Sequence, residues 1–318
     1  MFEINLDLPE DRRWDIIFIN YKSKLEEIKS NLVNLIDTYI KKYWIVIKPL
    51  IKVYKLSKKI MYEKELEYFA DKLNINFEYI LLLQLIYETT SCCTSIVSKS
   101  NNKYSMFRTM DWPMDFLKNI TIDLKFTKNN KVIFYATSWV GYVGILTAMI
   151  PNTCCISVNY RRTSDMSFCN LIKNVYNTLK LRYPIGYLVR DICETTTDIN
   201  LIKNKLCNSH LISPCYFTIC YDDKYPEIIT RDISSYTLYS HEYVIQTNCD
   251  FDKNYPDILY SIKRRDIAKN IISDVMNNFN SIIDMKDLLL IRPILNEDTI
   301  YVTMMNLSLN YYKTNIDL

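Results

Sequence analysis

The sequence predicts an α+β layered sandwich preceded by a helical segment, and two changes of rhythm along the chain predict it. Up to about residue 90 the apolar positions recur every three or four residues, the period of an amphipathic helix. From the pair Cys92-Cys93 onward, short strand-like runs take over, interrupted by pairs of helical patterns. Strand runs alternating with helix pairs, with no internal repeat and no flexible linker, fit helices packed on sheets.

The elements follow in order. Residues 1–14 read as extended. Within 15–56, Leu25, Ile28, Leu32, Leu35, Ile36 and Ile40 form one apolar face, and Lys24, Glu27, Lys29 and Asp37 lie on the other side. Lys48-Pro49-Leu50 marks a break, because proline disfavours helical geometry in the residue before it. A second helical pair spans 63–73 and 77–88, the latter apolar enough to be buried. Strands are expected over 94–98 and 104–108, over the alternation Ile120, Ile122, Leu124, Phe126, and, after a turn at Asn129-Asn130, over 132–138. The uncharged stretch 132–150 is long enough for a membrane span. Its aromatic and β-branched content and its glycines instead predict two buried strands that bend at Gly141. Helices are expected over 166–180, 184–193 and 198–208, the last capped at Thr197-Asp198. Strands return over 215–221, 226–231 and 241–247, helices over 264–279 and 285–291, and a final strand over 299–307.

Composition narrows the class. A chain of 318 residues that is 49% apolar and 24% charged buries a sizeable core and is not dominated by disorder. Its net charge of +3 comes with only short basic runs, such as Arg161-Arg162 and Lys263-Arg264-Arg265, so nucleic acid is not an expected partner. None of the ten cysteines is paired across two residues, and only His210 and His241 accompany them. A zinc site of the usual spacing and a serine-histidine-aspartate triad are therefore both disfavoured, and no metal or cofactor is expected. The three glycines are Gly141, Gly144 and Gly186. Two of them within one four-residue motif imply a positive φ or a close approach, in a tight bend or against a ligand.

The residues suited to chemistry gather around Ser91-Cys92-Cys93-Thr94-Ser95-Ile96-Val97 and around Arg108-Thr109-Met110-Asp111-Trp112-Pro113. A cation and an anion one short hairpin downstream of a cysteine place fixed charges beside the sulfur, and a nearby cation lowers a thiol's pKa. Taken alone, the same cysteine is more commonly the start of a buried strand. With these residues in view, the chain resembles the acid ceramidase and N-acylethanolamine acid amidase family, cysteine hydrolases of the N-terminal-nucleophile type. The likeness begins in Ile4-Asn5-Leu6-Asp7-Leu8-Pro9 and Arg13-Trp14 and passes through Cys93-Thr94-Ser95-Ile96-Val97 and Arg108-Thr109-Met110-Asp111. It continues in Gly141-Tyr142-Val143-Gly144, Ile229-Thr230-Arg231-Asp232, Gln246-Thr247-Asn248, Arg264-Arg265 and Pro293-Ile294-Leu295-Asn296, and so covers nearly the whole chain.

The resemblance implies the αββα sandwich of N-terminal-nucleophile hydrolases. Residues 1–92 would be a helical, α-subunit-like segment and 93–318 the catalytic, β-subunit-like domain, both released from one precursor by self-cleavage at Cys92-Cys93. Cutting that bond gives Cys93 an α-amino group of pKa about 7.7 to 8.0, a base for its own thiol of about 8.5. Residue by residue, the resemblance implies Cys93 as nucleophile, Arg108 as the cation beside it, Asp111 as holder of the new amino group, Asn248 as oxyanion donor and Arg264 as completing the cluster. Each has a plainer reading: Arg108 and Asp111 as an exposed pair worth under about 1 kcal/mol, Asn248 as a turn residue, Arg264 as a surface charge at a helix start.

The chain also departs from the family. Tyr160 stands where relatives carry an acidic residue, and a phenol of pKa about 10 does not titrate near pH 4 to 5. Cys220-Tyr221 replaces paired glycines, and Cys92 precedes the scissile bond in place of a larger apolar residue. The implied substrate is an N-acyl lipid amide, ceramide or a fatty acid ethanolamide, with transient contact to a membrane surface. Trp112, Met114, Phe116, Trp139 and Met149 are candidates for an acyl channel or for ordinary core. The family suggests a lysosomal or secretory compartment, although no signal-peptide pattern opens the sequence. The alternative, motivated by the same departures, is a catalytically inactive relative that binds lipid or a partner and has kept the fold.

Overall fold

The computed structural model describes residues 1–41, 44–56, 60–100, 103–161, 174, 176–178, 180, 182–251, 257, 260–278 and 290–316. The helical segment comes first. β1 (Phe2–Asn5) leads into α1 (Asp15–Asn20), α2 (Leu25–Ile40), α3 (Trp44–Leu56), α4 (Glu63–Leu73) and α5 (Phe77–Thr90). The break expected at Pro49 does not occur, and α3 runs through it. The proline removes the hydrogen bond to the Ile45 carbonyl, but Ile45 is 88% exposed, so water can take that carbonyl. Ile47, Ile51 and Tyr54 anchor the opposite face of α3.

Strands start at the cysteine pair. β2 (Cys92–Ser100) and β3 (Lys103–Asp111) form a hairpin, followed by α6 (Phe116–Ile120), β4 (Thr121–Lys128), β5 (Lys131–Trp139), β6 (Thr147–Ile150) and β7 (Cys154–Tyr160). Asn129 and Asn130 both take positive φ, as a two-residue hairpin turn with the right twist requires. The uncharged stretch supplies β5 and β6, with the bend at Gly141, whose φ is +94°. Then come α7 (Ile185–Thr195), α8 (Ile199–Asn208), β8 (Cys215–Cys220), β9 (Glu227–Arg231), β10 (Tyr236–Ser240) and β11 (Val244–Gln246). The chain closes with α9 (Ser261–Asn278), β12 (Thr299–Asn306) and β13 (Tyr311–Asn315). Asp198 caps α8, its side chain accepting from the backbone N–H groups of Asn200 and Leu201. The helices expected over 166–180 and 285–291 lie largely outside the described residues.

Two sheets result, one of eight strands in the order β1-β4-β5-β6-β7-β8-β9-β10 and one of five in the order β11-β2-β3-β12-β13. Alternation along the strands sorts the side chains into layers. Ile96, Phe107, Val302 and Met304 pack beneath Ala268 and Ile272 of α9. On the other face, Val97, Met106 and Met305 meet Met149, Cys155 and Tyr216 between the sheets. The outer face of the larger sheet, through Leu124, Phe126, Ala136 and Phe217, carries Leu66, Phe69, Leu82 and Leu188 of the helices. Helix, sheet, sheet and helix are thus stacked in that order, and the cysteine pair opens the strand next to the sandwich edge.

Candidate active site

Cys93 is the second residue of β2, and its cross-strand partner is Met110. Its thiol lies 3.7 Å from the Met110 sulfur. Arg108 lies two residues before Met110 on β3 and so points to the same face, where its Nη2 comes within 3.5 Å of Cys93 Sγ. The guanidinium is held there by Val158 O, 2.9 Å from Nη2, and by the Tyr301 hydroxyl, 2.6 Å from Nη1.

The backbone of Cys93 is gripped from the other side. Arg264, in the first turn of α9, donates from Nη1 to Cys93 O at 2.7 Å and to Thr94 Oγ1 at 2.6 Å. Its Nη2 donates to Asn248 Oδ1 at 2.9 Å and to Ser261 Oγ at 3.3 Å. Asn248 Oδ1 also accepts the Cys93 N–H at 2.9 Å, while its Nδ2 donates to Tyr160 O at 2.9 Å. Two donors on the oxygen and an acceptor on the nitrogen fix the orientation of this amide. Asp111 Oδ2 lies 3.5 Å from Arg264 Nη1 and accepts from Thr109 Oγ1, and Oδ1 accepts from Thr299 Oγ1 at 2.8 Å.

Of the sequence-derived candidates, Arg108, Asn248 and Arg264 therefore converge on Cys93, and Asp111 reaches it only through Arg264. Arg108 and Asp111 do not form a surface pair: Arg108 serves the thiol, and Asp111 serves Arg264. Cys93 and Arg108 are fully buried, and Asp111, Arg264 and Asn248 are 1 to 2% exposed. The uncut chain thus seals the sulfur from water. Sequence reasoning missed Thr94, Thr109, Thr299 and Tyr301, which hold Arg264, Asp111 and Arg108 in place. Only the pairing of Thr94 with Thr109 across the hairpin was within its reach. Among the described residues, no group of three or more His, Cys, Asp or Glu side chains is arranged to hold a metal ion.

Burial pushes the Asp111 carboxyl above its ordinary range, against the pull of the Arg264 cation. The folded state then keeps this proton to a higher pH than the unfolded chain, whose carboxyl titrates near about 3.9. The stability due to this group is therefore lost as pH rises from the unfolded value through the folded one. Asp111→Asn is expected to flatten that part of the stability curve, read by denaturant titration between about pH 4 and 7. An unchanged slope would count against the shift.

A narrow apolar crevice lies between the helices and the sheet, with a free volume of about 10 Å³, room for a single water. Leu32, Leu35, Leu83 and Ile86 form its helical wall, and Trp112, Met114, Trp139 and Tyr142 are on the other side. Trp112 stacks edge-on against Trp139 at 5.9 Å, and Trp139 lies 6.1 Å from Tyr301, the partner of Arg108. Phe116 packs against the core from a partly buried position, and Met149 sits between the sheets. Gly141 faces the helical wall, at Leu32 and Leu83, and Gly144 and Gly186 face Tyr142. A Cβ on Gly144 would come within 2.8 Å of the Tyr142 ring, and one on Gly186 within 2.3 Å of its hydroxyl.

No family model matches the chain. It is 36% identical over 304 residues to the uncharacterized protein R632 of Acanthamoeba polyphaga mimivirus, covering 94% of each chain. It is 27% identical over 347 residues to acid ceramidase of Mus musculus and 28% identical over 346 residues to that of Homo sapiens, in each case across 98% of this chain and 85% of the relative. Among solved structures, the Caenorhabditis elegans ortholog of N-acylethanolamine-hydrolyzing acid amidase superposes with a TM-score of 0.59 at 24% identity, over 67% of this chain and 92% of that one. Fold and relatives together define an amidohydrolase with the N-terminal-nucleophile hydrolase architecture. The chain belongs to the acid ceramidase and N-acylethanolamine acid amidase family.

Proposed function

We propose that this protein cuts itself between Cys92 and Cys93 and then hydrolyses the amide of an N-acyl lipid, with ceramide as the substrate and fatty acid ethanolamides as the alternative. The observation that carries this is the treatment of Cys93, whose sulfur, carbonyl and N–H each have a dedicated buried partner in Arg108, Arg264 and Asn248. In self-cleavage, Sγ adds to the Cys92 carbonyl carbon, the C–N bond breaks, and water hydrolyses the thioester. The products are a Cys92 carboxylate and a free Cys93 amine. The amine then takes the thiol proton, the thiolate attacks the lipid amide, and the proton passes to the departing amine. Water releases the fatty acid from the resulting thioester.

Arg108 favours the thiolate. Asn248 Oδ1 receives the amine and its Nδ2 is the proposed oxyanion donor, while Asp111 opposes Cys92 across the hairpin and supplies the compensating anion. Acid ceramidase likeness along 98% of the chain supports the choice of ceramide. Tyr160 occupies the place of the family's acidic residue, so processing is expected without a trigger near pH 4 to 5. The test is fatty acid release from ceramide and from N-palmitoylethanolamine by the processed protein. Faster release from ceramide is expected; release from neither would sink the enzyme reading in favour of an inactive lipid-binding relative.

Access to lipid is assigned to α3 under the same proposal. Ile45, Val46, Val53 and Leu56 are 88, 49, 59 and 74% exposed, and exposed Lys48, Lys52 and Lys55 share the helix. An apolar face rimmed by lysines suits an anionic lipid surface. Among the described residues, no helix is long and apolar enough to cross a membrane. Ile45→Glu with Leu56→Glu is expected to lower flotation with anionic vesicles by about tenfold or more; undiminished flotation would remove α3 from this role.

A further inference from the structure

We infer that Cys155 of β7 and Cys220 of β8 are a disulfide-forming pair, closed by exchange with a small-molecule disulfide while the two strands are apart. This holds whether or not the chain cuts itself, because both cysteines lie within 93–318.

The two residues are directly opposed in the antiparallel ladder of β7 and β8. Residues opposed in this way have Cα atoms about 4.5 to 5.5 Å apart, inside the span of about 4.4 to 6.8 Å that a disulfide bridges. Both side chains point into the layer between the sheets, beside Met149 and Tyr216, and both are fully buried. Cys220 Sγ donates to Tyr221 O at 3.6 Å and is also the hydrogen-bond partner of the Cys155 thiol. Among the described residues, no other ladder sets cysteine opposite cysteine. Cys92 faces Asp111, Cys93 faces Met110, Cys154 faces Ile150, and Cys215 faces Tyr160 and Arg231. Cys154 lies on the opposite face of β7, in the core under the helices with Cys193.

The exchange needs only a small disulfide such as oxidised glutathione. The Cys155 thiolate attacks it, forming a mixed disulfide and expelling one thiolate. The Cys220 thiolate then attacks Cys155 Sγ, closing the bond and expelling the second. The two protons given up by the cysteines end on the two released glutathione thiols. In the folded dithiol form, burial and then contact with Cys220 raise the Cys155 thiol well above its ordinary value. The folded protein therefore exchanges slowly, and the state of the pair is set when β8 lifts from β7.

The bond would act on register. β7 and β8 are buried on both faces along their whole length, so apolar alternation does little to choose one pairing over another. The pairing matters, because Val158 O of β7 holds Arg108 and Tyr160 O holds Asn248. A covalent link from Cys155 to Cys220 pins the strand that presents both carbonyls.

The test holds the full chain in a mixture of oxidised and reduced glutathione at a sub-denaturing guanidinium concentration. Free thiols are then trapped with N-ethylmaleimide in full denaturant, and the peptides are mapped by mass. A linked Cys155–Cys220 peptide that vanishes on reduction is expected in most molecules. That sample should unfold at a midpoint about 5 °C or more above one held in reduced glutathione alone. Cys154→Ala should keep both the linked peptide and the gap in midpoint. Cys220→Ala should lose both. Recovery of Cys155 and Cys220 as maleimide adducts, as mixed disulfides with glutathione, or linked to other cysteines would overturn the inference. A gap of the same size in Cys220→Ala would overturn it as well.

Discussion

Replacing Cys93 by alanine is expected to leave one chain of 318 residues, where the parent protein divides into pieces of 92 and 226 residues. Hydrolysis of N-acyl lipid should fall by about four orders of magnitude or more, because one sulfur makes the bond in both reactions. The loss should be chemical and not structural. Arg108 keeps Tyr301 and Val158 O when the thiol is gone, and Asn248 and Arg264 bind backbone atoms that alanine retains. Intact mass and thermal unfolding on the same sample separate the two possibilities. Division of the alanine variant would assign the nucleophile elsewhere, with the adjacent Cys92 thiol the first to test. Burial pushes that thiol strongly upward, which makes it a poor substitute.

Arg264→Met should have the next largest effect, in two separable parts. The guanidinium touches Cys93 O, Thr94, Asn248, Ser261 and Asp111, and no lysine could reach all five. Without it Asp111 is a buried carboxylate that has lost its ion-pair partner, and stability should fall by about 3 to 5 kcal/mol. Self-cleavage should slow by about 10²- to 10³-fold, because the Cys93 carbonyl and the Asn248 amide, which hold the residue after the reacting bond, are no longer fixed. Adding Asp111→Asn removes the orphaned charge. The double variant should therefore regain much of the stability and none of the processing rate, a non-additive pattern that distinguishes positioning from folding. Equal recovery of both would reduce Arg264 to a structural ion-pair partner.

Much of this arrangement is legible in the amino-acid sequence. α4 and α5 fall where apolar periodicity puts them, and the Asn129-Asn130 hairpin follows from two residues that tolerate positive φ. Arg108 and Asp111 can be tied to Cys93 from spacing alone, since one hairpin separates them. Asn248 and Arg264 lie about 150 residues further along and are reachable only through family likeness, because nothing local says which strand end or helix start will meet β2. Of the supporting threonines, only Thr94 and Thr109, paired across the hairpin, carry a signal. β7 is hidden because all seven of its residues are buried, so it shows no alternation, and β10 because all five of its residues are exposed. The expected break at Pro49 fails for a different reason: burial of Ile47, Ile51 and Tyr54 outweighs a local preference.

The glycines around Tyr142 make the two walls of the crevice mechanically unlike. On the sheet side, the ring is wedged between backbone atoms that admit no side chain, so that wall has one shape and almost no tolerance for change. On the helical side, Leu32, Leu35, Leu83 and Ile86 can be exchanged for smaller or larger residues one at a time. A crevice built in this way resembles a vice with one fixed jaw. Sequence change at this crevice is therefore expected to collect in the leucines of α2 and α5, with the tyrosine and its glycines left as the common datum.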